Sequence, residues 1–505
     1  MLNVELGFPL WVRLTHWFNV LFMTLLIRSG IAILAGHPML YWNQDCRPGS
    51  QWLKFSRKRM PKDRLWTSKD EEVGYPSWLA LPGGHNLGLG RYWHFAAVHG
   101  WIYATAIYVV LMLAMPPQWR RLIPSSWTIF PDAWHDFVAY ITFHLPGPGT
   151  TANPDHPYNA LQKLTYFGVV FILTPLQLLT GVAMSPTIVS RFPWYPKLFG
   201  NRQAARSVHF LGMMAFVGFL LIHVLMVVLH GFAQEMNKMV MGHEDAGWWG
   251  AGVGLAILAA VALVHVAGNL VSEAAPRLAH RLLSPLVDPP RRTLLHRAIS
   301  VPDYPESEIS PYFRVNGYPP TAEYAAEQGG DETYERLRQG NFADYRLEVT
   351  GLVEIPLSLS LNDLRAMSRR EQITMHHCIQ GWTAVGKWAG VRLSDVLDRC
   401  QPLPGARYLV FHSYQFHKES GARYYECIDF KMARLPQTIL AYEMNDVSLP
   451  VAHGAPLRLR VEPKLGFKMV KYLRAIEVVA DYRVVGEGMG GVREDHQQYD
   501  MGAEI

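Results

Sequence analysis

Residues 95–115, FAAVHGWIYATAIYVVLMLAM, form an apolar run in which a single histidine is the only ionisable side chain apart from two tyrosines. A helix needs about 20 mostly apolar residues to cross the hydrocarbon core of a bilayer, and this run has that length. Four other runs share its character, at residues 9–35, 161–184, 207–232 and 248–271. The first half of the chain is therefore predicted to be an all-α transmembrane bundle of about five spans.

The chain changes character after the fifth run. Residues 275–297, APRLAHRLLSPLVDPPRRTLLHR, have the proline and arginine content of a juxtamembrane linker. Beyond them, runs such as YRLEVTGLV (345–353) and RYLVFHSYQF (407–416) predict a mixed α/β, strand-rich soluble domain. We divide the chain into a transmembrane domain (1–235), a fifth span with its linker (236–300), the strand-rich domain (301–485) and a disordered polar tail (486–505).

Composition excludes several classes of function. A net charge of +5 over 505 residues, without a Lys/Arg cluster interleaved with aromatics, argues against nucleic acid as a partner. The four cysteines form no C-x-x-C pair, which argues against a disulfide framework and an iron–sulfur cluster. The first apolar run carries Arg13, His16 and Arg28 and lacks a small-residue cleavage site, so no secretory signal peptide is expected.

Histidines within the apolar runs indicate function, because ionisable groups at membrane depth are costly. His209 and His223 are 14 residues apart. That spacing returns to within about 40° of the same helix face and separates the two rings by about 21 Å along the axis. One helix that presents two imidazoles near opposite membrane surfaces suits two stacked haems, each of which needs a second axial histidine.

The order of the spans selects the partners of these two histidines. We call the surface where the first span begins side A and the opposite surface side B. His16 lies early in the first span, near side A, whereas His94 lies at the start of the second, near side B. The level pairs are therefore His16 with His223 and His94 with His209, and they predict two b-type haems that carry electrons across the membrane.

Three further histidines have other interpretations. His99 is five residues from His94 and points about 140° away on a helix, so it is an alternative ligand to His94 and not an additional one. His230 shares the face of His223 and is expected near a haem propionate or the membrane surface. His265 is interpreted as a hydrogen-bonded packing residue.

Four stretches resemble the di-haem cytochrome b subunits of nickel–iron hydrogenases and formate dehydrogenases. They are RLTHW in the first span, RYWHF in the second, YNALQKLTYFG in the third, and ARSVHF with His223 in the fourth. The resemblance covers residues 9–232 and implies the same four haem ligands. The fifth span departs from a four-helix core, although such subunits can carry an extra helix.

In the soluble half, the stretch TMHHCIQGW (374–382) contains Cys378 at the end of a predicted strand. Taken alone, Cys378 fits a buried structural cysteine, and it also fits a thiolate ligand for a transition metal. Downstream, Arg458, Lys464, Lys468 and Lys471 stand near glycines, which is the combination that a phosphate group requires. A basic solvated face is the alternative interpretation.

Together these stretches resemble the molybdopterin-binding domain of the sulfite oxidase superfamily, and especially the catalytic subunit of periplasmic methionine sulfoxide reductase. The likeness runs over about residues 311–480, through C-x-x-G-W…W-x-G-V-x-L and H-G-A-P-L-R…G-F-K-x-V-K. It implies that Cys378 ligates molybdenum, with Trp382 and His377 shaping the pocket. It also implies cofactor contacts at Asn316, Ser413, His453, Arg458, Met469, Val470 and Lys471. His453 stands where the reductase has asparagine.

No arginine follows Cys378 in IQGWTA, whereas sulfite oxidases have an Asn-Arg-Arg type segment there. This departure disfavours sulfite and favours a neutral or weakly polar oxygen-atom donor or acceptor. The predicted function is a molybdopterin-dependent oxidoreductase that exchanges electrons with quinone or quinol through two haems. The alternative is an electron-transfer membrane anchor whose soluble domain only binds a redox partner.

The chain is expected to be a multi-pass protein of the cell membrane, in contact with lipid. Lysines and arginines gather in the loop after the first span, in the loop after the third and beyond the fifth. The positive-inside rule places these segments, and with them the soluble domain, in the cytoplasm. The resemblance to cytochrome b subunits implies that the soluble domain lies on the opposite side of the membrane. Of these two indications, the sequence favours the cytoplasm.

Overall fold

The computed structural model describes residues 8–61, 63–115, 122–144, 158–243, 246–294, 300–418 and 420–502. The N-terminal half is helical. Its described helices are α1 (Leu10–Gly36), α2 (Leu87–Ala114), α3 (Ile129–Ile141), α4 (Ala160–Met184), α5 (Pro186–Arg191), α6 (Arg202–Leu229), α7 (Phe232–Val240), α8 (Trp249–Ala274) and α9 (Pro276–Leu294). Five of them, α1, α2, α4, α6 and α8, are long and apolar enough to cross a membrane, so the predicted fold class is confirmed.

The spans pack in two antiparallel pairs, α1 with α2 and α4 with α6. The helices α2 and α6 both begin with an asparagine cap at the same end of the bundle, which is side B. The Asn86 side chain accepts a 3.0 Å hydrogen bond from the Leu89 amide, and Asn201 accepts one of 2.9 Å from the Gln203 amide. An asparagine at this position satisfies amides that the first helical turn leaves unpaired. These caps fix the starts of the two helices that carry His94 and His209.

The proline- and arginine-rich segment predicted as a linker after the fifth span forms a helix, α9, over residues 276–294. Three prolines lie inside this helix. One face of α9 carries Ala279, Leu283 and Val287, which pack against Leu89 and Tyr92 at the start of α2. Burial of this apolar face explains why tertiary packing overrides the poor local helix propensity of the segment.

The connector between α1 and α2, residues 37–86, lies against the soluble domain. It contains a small hairpin, β1 (Met39–Leu40) with β2 (Leu53–Lys54). Its buried residues Tyr41, Cys46 and Trp66 join one apolar cluster with Cys378 and Trp382. The connector therefore helps to enclose the segment that the sequence singled out.

The C-terminal half contains the predicted strand-rich domain. Its strands are β3 (Arg346–Gly351), β4 (Leu357–Ser360), β5 (Arg369–His377), β6 (Thr383–Arg392), β7 (Tyr408–Phe416), β8 (Arg423–Asp429), β9 (Thr438–Met444), β10 (Val447–Ser448), β11 (Arg458–Val461) and β12 (Leu473–Val479). Its helices are α10 (Ala325–Gln328), α11 (Glu332–Gln339), α12 (Leu361–Arg365), α13 (Leu393–Cys400), α14 (Phe430–Ala433) and α15 (Val492–Gln497).

These strands form two five-stranded sheets. One has the order β10-β9-β6-β5 with β11 also paired to β9, and the other has the order β4-β3-β12-β7-β8. The β3–β12 pair is parallel and the other pairs are antiparallel. The main core includes residues from both sheets, such as Val391, Leu440, Phe411 and Ile476. Cys378 lies outside this core, in the turn that joins β5 to β6.

The prediction of a disordered polar tail is wrong for the residues that the structure describes there, which end at 502. Residues Val492–Gln497 form α15, and Glu494 and Asp495 in it are buried. Each of these acidic side chains has a buried partner: Glu494 forms an ion pair with Lys468, and Asp495 accepts a hydrogen bond from the Tyr425 hydroxyl. A polar segment folds here because the domain supplies specific partners for its charges.

Candidate functional site

The turn at Cys378 is a short, hydrogen-bonded loop between β5 and β6. The Cys378 amide donates to the Trp382 carbonyl at 3.1 Å, and the Gly381 amide donates to the Cys378 carbonyl at 3.1 Å. Gly381 has a φ of +106°, which favours glycine. These bonds hold Cys378 and the Trp382 ring on one compact loop.

The Cys378 thiol is buried, and burial raises its pKa to about 11, although hydrogen bonds from the Gln380 backbone and Asn316 and the charge of Arg493 act in the opposite direction. The Asn316 amide nitrogen lies 3.4 Å from Sγ. A thiol with this pKa is neutral in the absence of metal. A bound transition metal would displace the proton, since the thiolate is the ligand form of cysteine.

Cys378 opens onto a solvent-connected cavity, whose empty space, counted together with the open mouth, is about 710 Å³. Eight of the predicted residues line it, namely Asn316, Cys378, Trp382, His453, Arg458, Met469, Val470 and Lys471. None of the described residues that line the cavity is an aspartate or a glutamate. The site therefore has the charge expected for an anionic cofactor.

Two cations are buried together on this wall. Arg458 donates 2.9 Å to the His453 carbonyl, and its Nε is buried without a partner. Lys471 donates 2.8 Å to the Asn316 carbonyl. Burial lowers the pKa of Arg458 to about 9, with Arg460 as the next cause, and lowers the pKa of Lys471, with Arg458 as the next cause. A phosphate between these cations would relieve both effects, so the residues fit a phosphate-bearing pterin.

Two predicted residues lie outside the cavity lining. Successive residues of a strand point to opposite faces, so His376 enters the cavity and His377 points away from it. The His377 Nε2 lies 3.3 Å from the Ser190 hydroxyl of α5. Ser413 donates 2.6 Å to the Lys471 carbonyl and thus supports the loop that carries Lys471.

Several lining residues were not among the site residues predicted from the sequence. His376 lies with its ring centre 5.6 Å from that of Trp382, and Arg460 contacts its Nδ1 at 3.0 Å. Lys69 reaches the cavity from the connector, and Arg493 reaches it from α15. The position of His376, two residues before Cys378 in the predicted strand, was a usable signal. The other two are remote in sequence, and no local pattern identifies them.

The Cys378 loop contacts the membrane bundle directly. The Gly381 carbonyl accepts hydrogen bonds from Arg202 Nη1 at 2.6 Å and from Gln203 Nε2 at 3.0 Å, both in the first turn of α6. In the same loop, Gln380 donates 2.6 Å to Glu72 of the connector. The soluble domain therefore lies on side B, beside the start of the helix that carries His209.

The side B histidines are each oriented by a hydroxyl. His94 Nδ1 lies 3.0 Å from Ser29 Oγ, which itself donates to the Leu25 carbonyl at 2.7 Å. His209 Nδ1 lies 3.0 Å from Thr180 Oγ1, which donates to the Leu176 carbonyl at 2.7 Å. A hydroxyl whose proton is already donated accepts from the ring, so Nδ1 carries the hydrogen in both histidines.

This arrangement leaves the Nε2 lone pair of each ring for a metal, as is usual where a second hydrogen bond fixes the tautomer of a ligating histidine. Glycines follow both hydroxyl residues. A Cβ at Gly30 would lie 3.8 Å from the His94 ring, and one at Gly181 would lie 3.6 Å from the His209 ring. The small residues keep space beside each imidazole, and the donor set fits an axial haem pair.

On side A, the ring centres of His16 and His223 are 6.2 Å apart. Two imidazoles that bind one iron from opposite sides have centres roughly 6 Å apart, since a metal–imidazole nitrogen bond is about 2 Å. The His16 Nδ1 is buried without a hydrogen-bond partner. This pair also fits one haem.

The remaining histidines have other neighbours. His265 is bonded through both ring nitrogens, to Thr24 at 2.9 Å and to Arg28 at 2.8 Å, as expected of a packing residue. His230 also has a contact at each ring nitrogen, with the Met226 carbonyl at 3.0 Å and with the Tyr140 hydroxyl at 3.4 Å. Among the described residues, no group of three or more His, Cys, Asp or Glu side chains forms a metal site.

Two family models match the chain. Prokaryotic cytochrome b561 matches residues 7–242, and the oxidoreductase molybdopterin binding domain matches residues 335–484. The first range contains all four histidines of the two pairs. The second contains Cys378, Arg458 and Lys471.

Relatives resemble different parts of the chain. A putative protein-methionine-sulfoxide reductase subunit YedZ1 of Azospira oryzae is 35% identical over 181 residues, 36% of this chain and 62% of that protein. Another Azospira oryzae protein of the same name is 29% identical over 238 residues, 46% of this chain and 96% of that protein. The protein-methionine-sulfoxide reductase catalytic subunit MsrP of Xanthomonas campestris pv. campestris is 36% identical over 144 residues, 27% of this chain.

This chain spans 62% of the length of the first relative and 45% of the length of MsrP. The predicted combination of a cytochrome b with a molybdopterin oxidoreductase is confirmed at the level of the two families. The chain therefore joins a region that matches prokaryotic cytochrome b561 to a region that matches the oxidoreductase molybdopterin-binding domain.

Proposed function

We propose that this chain is a membrane-bound molybdenum oxidoreductase. It transfers an oxygen atom between a small substrate and water and exchanges two electrons with the quinone pool through two b haems. The observation that carries the proposal is the pair of hydrogen bonds from Arg202 and Gln203 to the Gly381 carbonyl. They join the loop of the proposed molybdenum ligand to the helix of a proposed haem ligand within one chain.

The residues of the cavity have separate tasks in this proposal. Cys378 ligates molybdenum, and Asn316, 3.4 Å from its sulfur, orients the thiolate. Arg458 and Lys471 bind the pterin phosphate, and Trp382 excludes water from the metal. Ser413 acts through the Lys471 carbonyl, which it holds at 2.6 Å. The cofactor, when bound, supplies oxygen-atom transfer and a two-electron redox change.

His453, Met469 and Val470 complete the wall against the pterin. The His453 carbonyl already accepts from Arg458, so it fixes the guanidinium that faces the phosphate. His377 points to Ser190 at 3.3 Å. We assign His377 to the contact with the bundle, where it holds the end of β5 against α5.

For the membrane half, we assign one haem to His94 and His209 and a second haem to His16 and His223. The first pair lies on side B, at the end of the bundle that the soluble domain contacts, so it exchanges electrons with the molybdenum. Quinone reacts near the second pair, at side A. Lipid surrounds the apolar outer faces of the spans.

The names of the relatives concern the direction of electron flow. The relatives named as methionine-sulfoxide reductase support reduction of a sulfoxide-type substrate with electrons from quinol; the reverse is oxidation of a small substrate.

The basic connector and the loop with Arg191 and Lys197 lie on side B, which the positive-inside rule places in the cytoplasm. Cleavage of the soluble domain by protease in sealed, oriented vesicles would report the side.

Metal and haem analysis of the purified full-length protein tests the proposal. We expect one molybdenum and two haems per chain, and a Cys378→Ser variant without molybdenum but with both haems. Cys400→Ala, a buried cysteine outside the cavity, is the matched control and should keep the metal. A wild-type protein with haem and no molybdenum would support the electron-transfer anchor instead.

A further inference from the structure

Arg493 brings a positive charge to the cavity from outside the molybdopterin-binding region. It lies in α15, beyond residue 484, where the family match ends, and it lines the cavity with Cys378 and Trp382. Its side chain is only 7% exposed. Nη1 donates 2.8 Å to the Gln497 side chain of the same helix, which sets the direction of the guanidinium.

The residues that follow Arg493 hold it in place. Glu494 forms a fully buried ion pair with Lys468, whose ammonium also lies 2.9 Å from Glu426. Asp495 accepts from the buried Tyr425 hydroxyl and from the Met489 amide at 3.1 Å. Arg493 is therefore fixed by two anchors in the next two residues, and its charge is preorganised at the cavity wall.

The other arginines and lysines that line the cavity also have contacts within the protein. Arg458 and Lys471 bond to backbone carbonyls of the cofactor wall. Arg314 is ion-paired with Glu71 of the connector. Lys69 lies close enough to Lys471 for its charge to act on that ammonium. Arg493 lies close enough to Cys378 for its charge to lower the pKa of the thiol, while the charge of Glu72 in the connector raises it.

A cavity with positive walls and low-dielectric surroundings attracts negative ligands. The segment after Cys378 lacks arginines, and this absence disfavoured an anionic substrate when the sequence was considered alone. In the structure, Arg493 of the C-terminal helix α15 lines the cavity together with Cys378. A guanidinium presents a planar fork of donors that matches a carboxylate or an oxyanion.

We propose that Arg493 binds a negatively charged group of the substrate beside Cys378, so that the chain acts on a small oxyanion or a carboxylate-bearing sulfoxide. This proposal rests on the proposed function. It narrows the substrate class from any small oxygen-atom donor or acceptor to an anionic one. Arg493 is accordingly a specificity-determining residue.

Sulfate serves as the probe, because it is an oxyanion that undergoes no oxygen-atom transfer here. Isothermal titration uses the full-length protein loaded with its cofactors, so that the phosphate contacts of Arg458 and Lys471 are already filled. We expect wild-type protein to bind sulfate and Arg493→Gln to bind it about tenfold more weakly or worse, as for loss of a charged hydrogen bond. Arg493→Lys should keep most of the affinity.

Arg483→Gln is the matched control: Arg483 lies ten residues earlier, is exposed and is ion-paired with Asp481. It should bind sulfate as wild type does. In a second arm, sulfate should inhibit reduction of neutral dimethyl sulfoxide competitively, with an inhibition constant raised about tenfold in Arg493→Gln.

Equal sulfate affinity in wild type and Arg493→Gln would overturn the proposal. Loss of molybdenum from Arg493→Gln would also overturn it, since Arg493 would then bind the cofactor. A wild-type protein without molybdenum would refute the proposed function instead, and metal analysis separates that result from the sulfate result.

Discussion

Arg202 Nη1 donates a 2.6 Å hydrogen bond to the carbonyl of Gly381, three residues after Cys378. Arg202 is in the first turn of α6, seven residues before His209, so a helix length of about 10 Å separates it from that histidine. The bond connects the two halves of the chain at the point where each carries its proposed redox ligand. The contact holds the Cys378 loop against the start of the helix that carries His209.

Replacing Arg202 by methionine should slow electron transfer between the two halves. The variant removes a buried charged hydrogen bond and lets the Cys378 loop move away from α6. When a reducing substrate is mixed with the oxidised protein, we expect the haems to be reduced on the order of tenfold more slowly in the variant. Small displacements at a reacting site have effects of this size or larger. Stopped-flow absorbance of the haems measures it.

Lys197→Met is the control for Arg202→Met. Lys197 also pairs with the soluble domain, with Glu308 at 3.2 Å, but its side chain is exposed. An exposed pair contributes little, so this variant should reduce its haems at the wild-type rate. Equal rates in both variants and wild type would contradict the role of Arg202.

The hydroxyls behind the side B histidines should control one haem. Ser29→Ala and Thr180→Ala each remove the acceptor of an Nδ1 hydrogen and free the ring to rotate. Loss of such a partner typically weakens metal binding about 10- to 100-fold. We expect partial loss of the side B haem in each single variant, measured by pyridine haemochrome content and low-temperature spectra.

Thr24→Ala is the matched control, because Thr24 bonds to His265, which is no proposed ligand. It should retain both haems. His209→Ala should lose the side B haem altogether and keep the other. Two unperturbed haems in His209→Ala would refute the pairing of His94 with His209.

Arg458→Met should weaken retention of the molybdenum cofactor. Arg458 is buried with its Nε unpaired and faces the proposed phosphate position. A charge-assisted hydrogen bond contributes about 1.5–3 kcal/mol, so loss of one should raise the dissociation constant roughly tenfold or more. Molybdenum per chain after prolonged dialysis is the measurement. Arg407→Met, a substitution outside the cavity lining, should retain the metal.

The sequence predicted the features that depend on local periodicity. The 14-residue spacing of His209 and His223 placed both on one face of a helix, and the order of the spans supplied His94 and His16. The strands β5 and β7 could be predicted from the sequence because they carry β-branched and aromatic residues between turns.

Other features depend on partners remote in the chain. Strand β6 is buried along most of both faces and contains two glycines, so it has no period-two pattern. Arg493 and Lys69 reach the cavity from segments over 100 and over 300 residues away from Cys378. Helix α9 forms despite three prolines because α2 covers its apolar face. Such features follow from tertiary packing, which a local pattern does not encode.

The anchor of the C-terminal helix should be sensitive to pH. Glu426 and Glu494 share the ammonium of Lys468 in a fully buried cluster. Burial, followed by the charge of Glu494, raises the pKa of Glu426 well above its usual range, and burial also raises the pKa of Glu494. The folded state therefore holds a proton that the unfolded segment releases near pH 4.3, a typical glutamate value.

A carboxyl whose pKa is raised on folding stabilises the folded state fully below its unfolded pKa, and this stabilisation is lost as pH rises through the folded pKa. Protection of residues 486–502 from hydrogen exchange, corrected for intrinsic rates, should thus fall from pH 5 to pH 9. Glu494→Gln removes one of the two like charges and should flatten this dependence. Glu487→Gln, which changes an exposed carboxylate paired with Arg277, should leave it unchanged. If protection from hydrogen exchange in Glu494→Gln depends on pH as it does in the wild-type protein, the cluster does not anchor α15.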